Sequence, residues 1–224
     1  SDASGNAGTA VTSGSGAVTI DNTHPTLNTP ALTVNGAGNA NNADVVSLAF
    51  TSATDVTTAP VCAFSDSGAA MENSPSTASG SASGWTCAIT VDDTDADGAI
   101  TYSISFSDAS GNAGTAVTSG SGAVTIDNTH PTLNTPAIST SGSGNANNAD
   151  VVSLVFTSST DVTTAPACAF SDTGAAMANS PSTASGSASG WTCAITVADD
   201  DADGAITFSV SFDDSNGNAG TAVT

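Results

Sequence analysis

Two acidic turns carry the residue types and spacing in this chain that could do chemistry. The pattern D-x-D-x-D-G occupies residues 93–98 and recurs at residues 199–204. Alternating carboxylates on a turn closed by glycine supply the oxygen ligands that Ca²⁺ prefers. An EF-hand is excluded, because Ile104 and Val210 stand where its twelfth-position Glu would be. The pattern favours a calcium site over the alternative, a solvated acidic turn.

The cysteines are the second set of residues with possible chemistry. They recur in pairs with equal spacing, and neither pair forms a CxxC or Cys/His zinc pattern. Equal spacing in two repeats fits one disulfide per domain and an oxidising compartment, and free buried thiols are the alternative. A bridge that closes a loop of this size stabilises a domain by roughly 3–4 kcal/mol. The predicted pairs are Cys62–Cys87 and Cys168–Cys193.

No set of residues suggests catalysis. The two histidines, His24 and His130, each precede a proline and are equivalent positions of one repeated segment. No Ser/His/Asp or Cys/His combination is indicated by position, and the glycine-rich SGSG passages lack the lysine and helix of a phosphate-binding loop. The sequence therefore predicts no enzyme activity.

The charge of the chain restricts its partners. Lys and Arg are absent, 21 residues are acidic, and the formal net charge is −21. Nucleic acids and anionic membranes need protein cations, so neither is an expected partner, whereas metal cations are. The sequence contains no long apolar run and no signal-peptide pattern, so we expect a mature or excised segment with no membrane insertion.

The whole chain is a repeat with a fixed period. Residues 1–31 recur letter for letter as 107–137, an offset of 106 that holds to the end of the chain. A constant period of this length predicts an array of identical folding units. The predicted divisions are the last strand or strands of a preceding or partner domain (1–24), a complete domain (25–130) and a domain without its final strand (131–224).

Alternating apolar and polar residues predict an all-β protein. Short runs rich in Val, Ile and Thr are separated by clusters of Gly, Asn, Asp and Ser, and helical periodicity is nearly absent. About seven strands in each repeat favour a β-sandwich. We predict strands near residues 31–35, 45–51, 60–65, 85–91, 99–107 and 115–117 continuing into 123–126, with residues 74–84 forming a long irregular connection.

Three passages together resemble the immunoglobulin-like (Ig-like) repeats of giant bacterial extracellular and cell-surface proteins, including the extender regions of adhesins. They are DVVSLAFTSATDV, GWTCAITVDDTDADGAITYSISFSDASGNAGTAVT and VTIDNTHPT. The resemblance implies Ig-like β-sandwich domains in tandem, a spacer or fibre role outside the cell or on its surface, and calcium near the domain junctions. The alternative is an adhesive module whose loops contact glycans or another surface. A further possibility is that the parent protein binds such a ligand through another region.

Sandwich topology places the acidic turns at the domain joints. The turn lies at the end of the domain where the last strand leaves, beside the loops of the next domain. Asp161 and Asp213 or Asp214 of that next domain are expected near this exit. The full set of predicted metal ligands is Asp93, Asp95, Asp97, Asp127, Asp199, Asp201 and Asp203.

The unit that starts at Pro131 is expected to lack its final strand. The 106-residue offset places the counterpart of Ser119–Ile126 after Thr224. Ala17–Ile20 has the same sequence as Ala123–Ile126, so another copy of the chain could add it as a strand. The alternative is that the segment is a slice of a longer protein. Both interpretations predict that neighbouring repeats continue head to tail.

Overall fold

The protein is all-β in a computed structural model that describes residues 1–36 and 38–224. Within this described part of the chain, no helix is long and apolar enough to cross a membrane. The strands of the first domain are β1 (Ala31–Val34), β2 (Val45–Phe50), β3 (Val61–Asp66), β4 (Ala69–Ala70), β5 (Ser76–Thr77), β6 (Ser79–Ser81), β7 (Gly84–Thr90), β8 (Gly98–Ala99), β9 (Thr101–Ser105) and β10 (Thr125–Ile126). Those of the second are β11 (Ala137–Thr140), β12 (Val151–Phe156), β13 (Ala167–Asp172), β14 (Ala175–Ala176), β15 (Ser182–Thr183), β16 (Ser185–Ser187), β17 (Gly190–Thr196) and β18 (Thr207–Ser211).

Each domain is a sandwich of two four-stranded antiparallel sheets, and the first domain adds a two-stranded sheet of β8 and β10. In the first domain one sheet has the order β1-β2-β7-β6, and in the other β3 pairs with β4, β5 and β9. The second domain repeats both sheets as β11-β12-β17-β16 and as β13 with β14, β15 and β18. This topology confirms the prediction of tandem Ig-like β-sandwich domains.

The core follows the alternation of the strands, because successive side chains of a strand point to opposite faces. In β2 the buried side chains are Val46, Leu48 and Phe50, and in β7 they are Trp85, Cys87 and Ile89. The second domain buries the equivalent residues of β12 and β17. Tyr102 is only partly buried, and Phe208 occupies its place in the second domain, so the fold does not require the phenolic hydroxyl.

Both predicted disulfides are present. Cys62 of β3 is bonded to Cys87 of β7, and Cys168 of β13 is bonded to Cys193 of β17. Each bridge joins the two sheets of one sandwich through its core, and the described residues contain no free cysteine.

The passage from residue 74 to 84 is more regular than the sequence analysis expected. It contains β5 and β6, and β6 forms a hairpin with β7 in which Gly80 lies opposite Trp85. Gly80 has a φ of +114°, and a Cβ there would lie 2.0 Å from the carbonyl oxygen of Gly84. Glycine therefore permits a close hairpin in a stretch whose composition resembles a loop.

The end of the repeat is less regular than expected. Residues 115–117 form no strand, and Val117 makes only an isolated bridge to Ile104. The final strand shortens to β10, which pairs with β8. In the second domain residues 204–205, the counterpart of β8, form no strand.

Candidate functional site at the domain joint

The acidic turn of the first domain is organised by the buried carboxylate of Asp95. One carboxylate oxygen accepts the backbone N–H of Glu72 and the other accepts the backbone N–H of Asp92, each at 2.8 Å. Asp201 of the second domain accepts the N–H groups of Ala178 and Ala198 at the same 2.8 Å. The central Asp of each pattern therefore fixes the shape of its turn.

Asp97 connects the turn to the chain that leaves β10. Its Oδ1 accepts the backbone N–H of Asn128 at 2.6 Å, and its Oδ2 accepts the hydroxyl of Thr129. The Asn128 side-chain amide donates to the carbonyl oxygens of Asp92 and Asp95 at 2.8 and 2.9 Å. The turn thus holds the exit of the final strand, which confirms the placement expected from sandwich topology.

Asp127 makes the main contact with the second domain. Its Oδ2 accepts the side-chain amide of Asn216 at 2.6 Å, and its carbonyl oxygen accepts the side-chain amide of Asn218 at 2.8 Å. Asn218 is 4 % exposed, and its amide also donates to Asp214. A charged acceptor strengthens a hydrogen bond, so Asp127 and Asn216 form the strongest of these contacts.

Asn216 also contacts the segment around Ala40, which lies beside Asp127 because the Asp127 N–H donates to the Ala40 carbonyl oxygen at 2.9 Å. Its carbonyl oxygen accepts the side-chain amide of Asn41 at 2.7 Å, and its side-chain oxygen lies 3.4 Å from the backbone nitrogen of Asn39. Gly217 follows with a φ of +95°, and a Cβ there would lie 3.3 Å from the Asn41 amide. The loop at residues 214–218 therefore packs on two adjacent segments of the first domain.

His130 completes the joint. Its Nδ1 lies 2.8 Å from the carbonyl oxygen of Ala219, and its Nε2 lies 3.2 Å from Oδ1 of Asp93. Both ring nitrogens face acceptors, so the doubly protonated ring satisfies both contacts. The Ala219 carbonyl first, and then Asp93, raise the pKa of His130 above its ordinary value.

The same contacts occur at the start of the first domain. Asp21 Oδ2 accepts the hydroxyl of Ser110 at 2.8 Å, and the Asp21 carbonyl oxygen accepts the amide of Asn112 at 3.0 Å. His24 Nδ1 lies 2.8 Å from the carbonyl oxygen of Ala113. The segment Asp21–His24 therefore docks on the first domain as Asp127–His130 docks on the second.

The predicted calcium ligands do not form one cluster in this arrangement. Asp95 and Asp97 accept hydrogen bonds, Asp93 faces His130 and Asp127 faces Asn216. Among residues 1–36 and 38–224, no group of three or more His, Cys, Asp or Glu side chains is arranged to hold a metal ion. The carboxylates as placed do not fit a calcium centre, and binding of calcium stays a prediction.

The expected acids of the second domain meet the joint only indirectly. The Asp161 carbonyl accepts the backbone N–H of Ser215, and Asp214 accepts hydrogen bonds from within its own loop. The contacts across the joint come instead from Asn216 and Asn218, which the sequence analysis did not select. For Asn218 the sequence offered a signal, the recurrence of the GNAG and DNTH passages at both joints, whereas Asn216 replaces Ser110 of the preceding repeat and had no such signal.

Comparisons with known proteins give only distant likenesses. No protein-family model and no curated protein matches the chain. A chimeric titin Z1Z2 carrying an exogenous KLER peptide from decorin is 18 % identical at a TM-score of 0.30, covering 88 % of this chain and 92 % of that one. A tetra-tandem repeat from the extending region of a large adhesion protein is 18 % identical at a TM-score of 0.32, covering 87 % of this chain and 47 % of that one. The chain thus spans about half of the adhesion structure, and the fold assignment rests on the sheets and core described above.

Proposed function

We propose that the chain is a structural extender. Its two Ig-like domains, each with an internal disulfide, act as a spacer in an extracellular or cell-surface fibre. The observation that carries this proposal is the joint, where Asp127 and His130 bind the Asn216–Ala219 loop of the next domain. The contacts of Asp21 and His24 repeat it one domain earlier. A joint that recurs with the repeat suits a protein whose work is to hold domains end to end.

The composition supports this location and role. Two disulfides favour an oxidising environment outside the cytosol. A net charge of −21 without Lys or Arg keeps copies of the chain soluble and leaves cations as its natural counterions. Calcium binding near the joint is part of the proposal as a rearrangement, because Asp93, Asp95 and Asp97 would have to leave their present hydrogen-bond partners to bind the ion.

Single-molecule stretching tests the mechanical role. With its disulfide intact, an unfolding domain cannot extend the 25-residue loop between Cys62 and Cys87. Chemical reduction should therefore lengthen each unfolding step by about 80 Å, since an extended chain spans up to about 3.6 Å per residue. The Cys62→Ser/Cys87→Ser variant provides the matched control, because it should lengthen one of the two steps without reductant. Domains that unfold at forces too low to detect would contradict a load-bearing role.

A further inference from the structure

We propose that Asn216 is a site of spontaneous hydrolytic deamidation, and that the carboxylate formed there loosens the joint between the two domains. The substrate is the side-chain amide of Asn216, the co-reactant is water, and the products are ammonia and an acidic side chain. The inference goes beyond the spacer role, because it gives the joint a limited chemical lifetime. It concerns the joint and not the folding of the domains, so the stretching experiment tests the spacer role separately.

Asn216 precedes a glycine, and deamidation meets the least obstruction in this dipeptide. The backbone nitrogen of the following residue must reach the side-chain amide carbon of the asparagine, and glycine has no side chain to hinder that approach. Asn-Gly occurs in this chain only at residues 35–36 and 216–217. The positions that correspond to Asn216 in the other repeats are Ser4 and Ser110. At this loop, the reactive dipeptide therefore belongs to the second domain alone.

The loop itself requires the glycine. Gly217 has a φ of +95°, and Gly111 at the equivalent position of the first domain has a φ of +92°. Residues with a Cβ rarely adopt this left-handed conformation. The glycine therefore cannot be exchanged for a bulkier residue that would slow the reaction, and an asparagine at position 216 has a reactive neighbour as a consequence of the fold.

The reaction proceeds through a cyclic imide. The backbone nitrogen of Gly217 loses its proton and bonds to Cγ of Asn216, and the side-chain nitrogen takes up a proton and leaves as ammonia. Water then opens the ring. Hydrolysis of the bond between the Gly217 nitrogen and Cγ gives aspartate, whereas hydrolysis of the bond to the backbone carbonyl carbon gives isoaspartate, with one more carbon in the main chain. Both products carry a carboxylate in place of the amide.

The reacting groups are accessible and weakly held. Gly217 is exposed, and its backbone N–H donates to the Asp214 carbonyl oxygen at 3.4 Å, a long contact for a hydrogen bond. The Asn216 side chain is partly buried, and its contacts with Asp127 and Asn39 cross the joint. Each opening of the joint therefore frees this side chain, and we expect the reaction to proceed in the folded protein through the open state.

Deamidation removes the donor of the strongest contact across the joint. Nδ2 of Asn216 donates to Oδ2 of Asp127 at 2.6 Å. A carboxylate in its place is an acceptor only, and it brings a second negative charge to Asp127. The chain contains no Lys or Arg that could lie between the two charges. Asp214, which is 5 % exposed and accepts the backbone N–H of Asn216 at 2.8 Å, adds a third carboxylate from the same loop.

Repulsion between like charges determines the size of the effect. Two carboxylates about 4 Å apart in water repel enough to shift an equilibrium about fivefold, and they repel more where water is partly excluded. Deamidation should therefore raise the equilibrium constant for opening of the joint by at least about fivefold. The isoaspartate form also displaces the Asn216 carbonyl oxygen, which accepts the side-chain amide of Asn41 at 2.7 Å.

Peptide mapping after incubation in mildly alkaline buffer tests the chemistry. Chymotrypsin cleaves after Phe212 and releases the peptide that begins at Asp213. This peptide should gain the mass difference between an amide and an acid, and isoaspartyl methyltransferase should label part of it. The same peptide of the Asn216→Ser chain should show neither change. Retention of the Asn216 amide in the folded chain, under conditions that convert it in the urea-unfolded chain, would overturn the inference.

Hydrogen exchange of the Asn41 and Asn218 side-chain amides tests the effect on the joint, because both donate across it. Asn216→Asp reproduces one product and should speed their exchange at least about fivefold. The matched control, Asn35→Asp, adds the same charge to a side chain that accepts a hydrogen bond within its own domain, and should leave both rates unchanged. Asn216→Asp/Asp127→Asn exchanges the amide and the carboxylate and should restore protection. Unchanged exchange in Asn216→Asp, or no recovery in the double variant, would overturn the inference.

Discussion

At the scale of single residues, Asp108 shows how a buried carboxylate stabilises a loop by accepting hydrogen bonds from it. It is 3 % exposed and accepts hydrogen bonds from the side chain and backbone of Asn112 and from the backbone of Ser110. The Asn112 side chain contributes most to lowering the pKa of Asp108 below its usual 3.8, and burial opposes it. The loop therefore depends on the ionised form.

This lowered pKa predicts a loss of stability in acid. Because the folded pKa lies below the unfolded value of 3.8, the stabilisation is present above that value and disappears as the pH falls through the folded pKa. Urea unfolding should show that Asp108→Asn destabilises the first domain near neutral pH and that the difference shrinks in acid. Asp2→Asn is the control, since Asp2 makes the same contacts in a segment outside either domain. A difference independent of pH would contradict this role of the charge.

Calcium binding is a second prediction about single residues. It is based on the sequence positions of Asp93, Asp95 and Asp97. Binding to the folded state alone would raise its stability by about 2.7 kcal/mol at a hundredfold excess over the dissociation constant. Thermal melting should therefore shift upward in millimolar Ca²⁺ relative to chelator, and Asp93→Asn/Asp199→Asn should reduce the shift. Identical melting in both conditions would leave hydrogen bonding as the role of these carboxylates.

At the scale of elements, Asn128 ties the end of the final strand to the acidic turn. The residue is 9 % exposed, and its amide donates to the backbone carbonyls of Asp92 and Asp95, of which the Asp92 carbonyl also accepts the N–H of Asp95. Asn128→Ala should destabilise the first domain by about 1–3 kcal/mol, the range for buried groups left without a partner. Hydrogen exchange of the β2 and β7 amides measures this change.

The chain contains its own control for that substitution. Asn22 has the same sequence neighbours as Asn128 but is exposed. Asn22→Ala should leave the exchange of the first-domain amides unchanged in the monomer. Equal effects of the two substitutions would show that the contacts of Asn128 with the turn are not what stabilises the strand.

The main strands could be predicted from the sequence because alternation in β2, β3, β7 and β9 reflects burial on one face. The hairpin of β6 and β7 could not, since Ser and Gly dominate it and its pairing depends on the close approach at Gly80. The acidic turn was located correctly beside the final strand. The hydrogen-bond partners of its carboxylates could not be predicted, because backbone N–H groups and asparagine amides leave no charge pattern in a sequence.

At the scale of the whole molecule, the 106-residue repeat predicts more of the structure than any short motif does. It predicts the tandem β-sandwich fold and both disulfide pairs, which the structure contains. Asn216 departs from the repeat, since Ser110 is its counterpart, and it adds contacts to Asn39 and Asn41 across the joint. We expect these contacts to hold the two domains as one rigid unit.

Residual dipolar couplings of backbone amides test that claim most directly. In the weakly aligned chain, one alignment tensor is expected to fit the amides of both domains. Asp127→Ala/Asn216→Ala should separate the tensors, because the strongest contact across the joint is lost. Two tensors of different magnitude before any change at the joint would contradict the account.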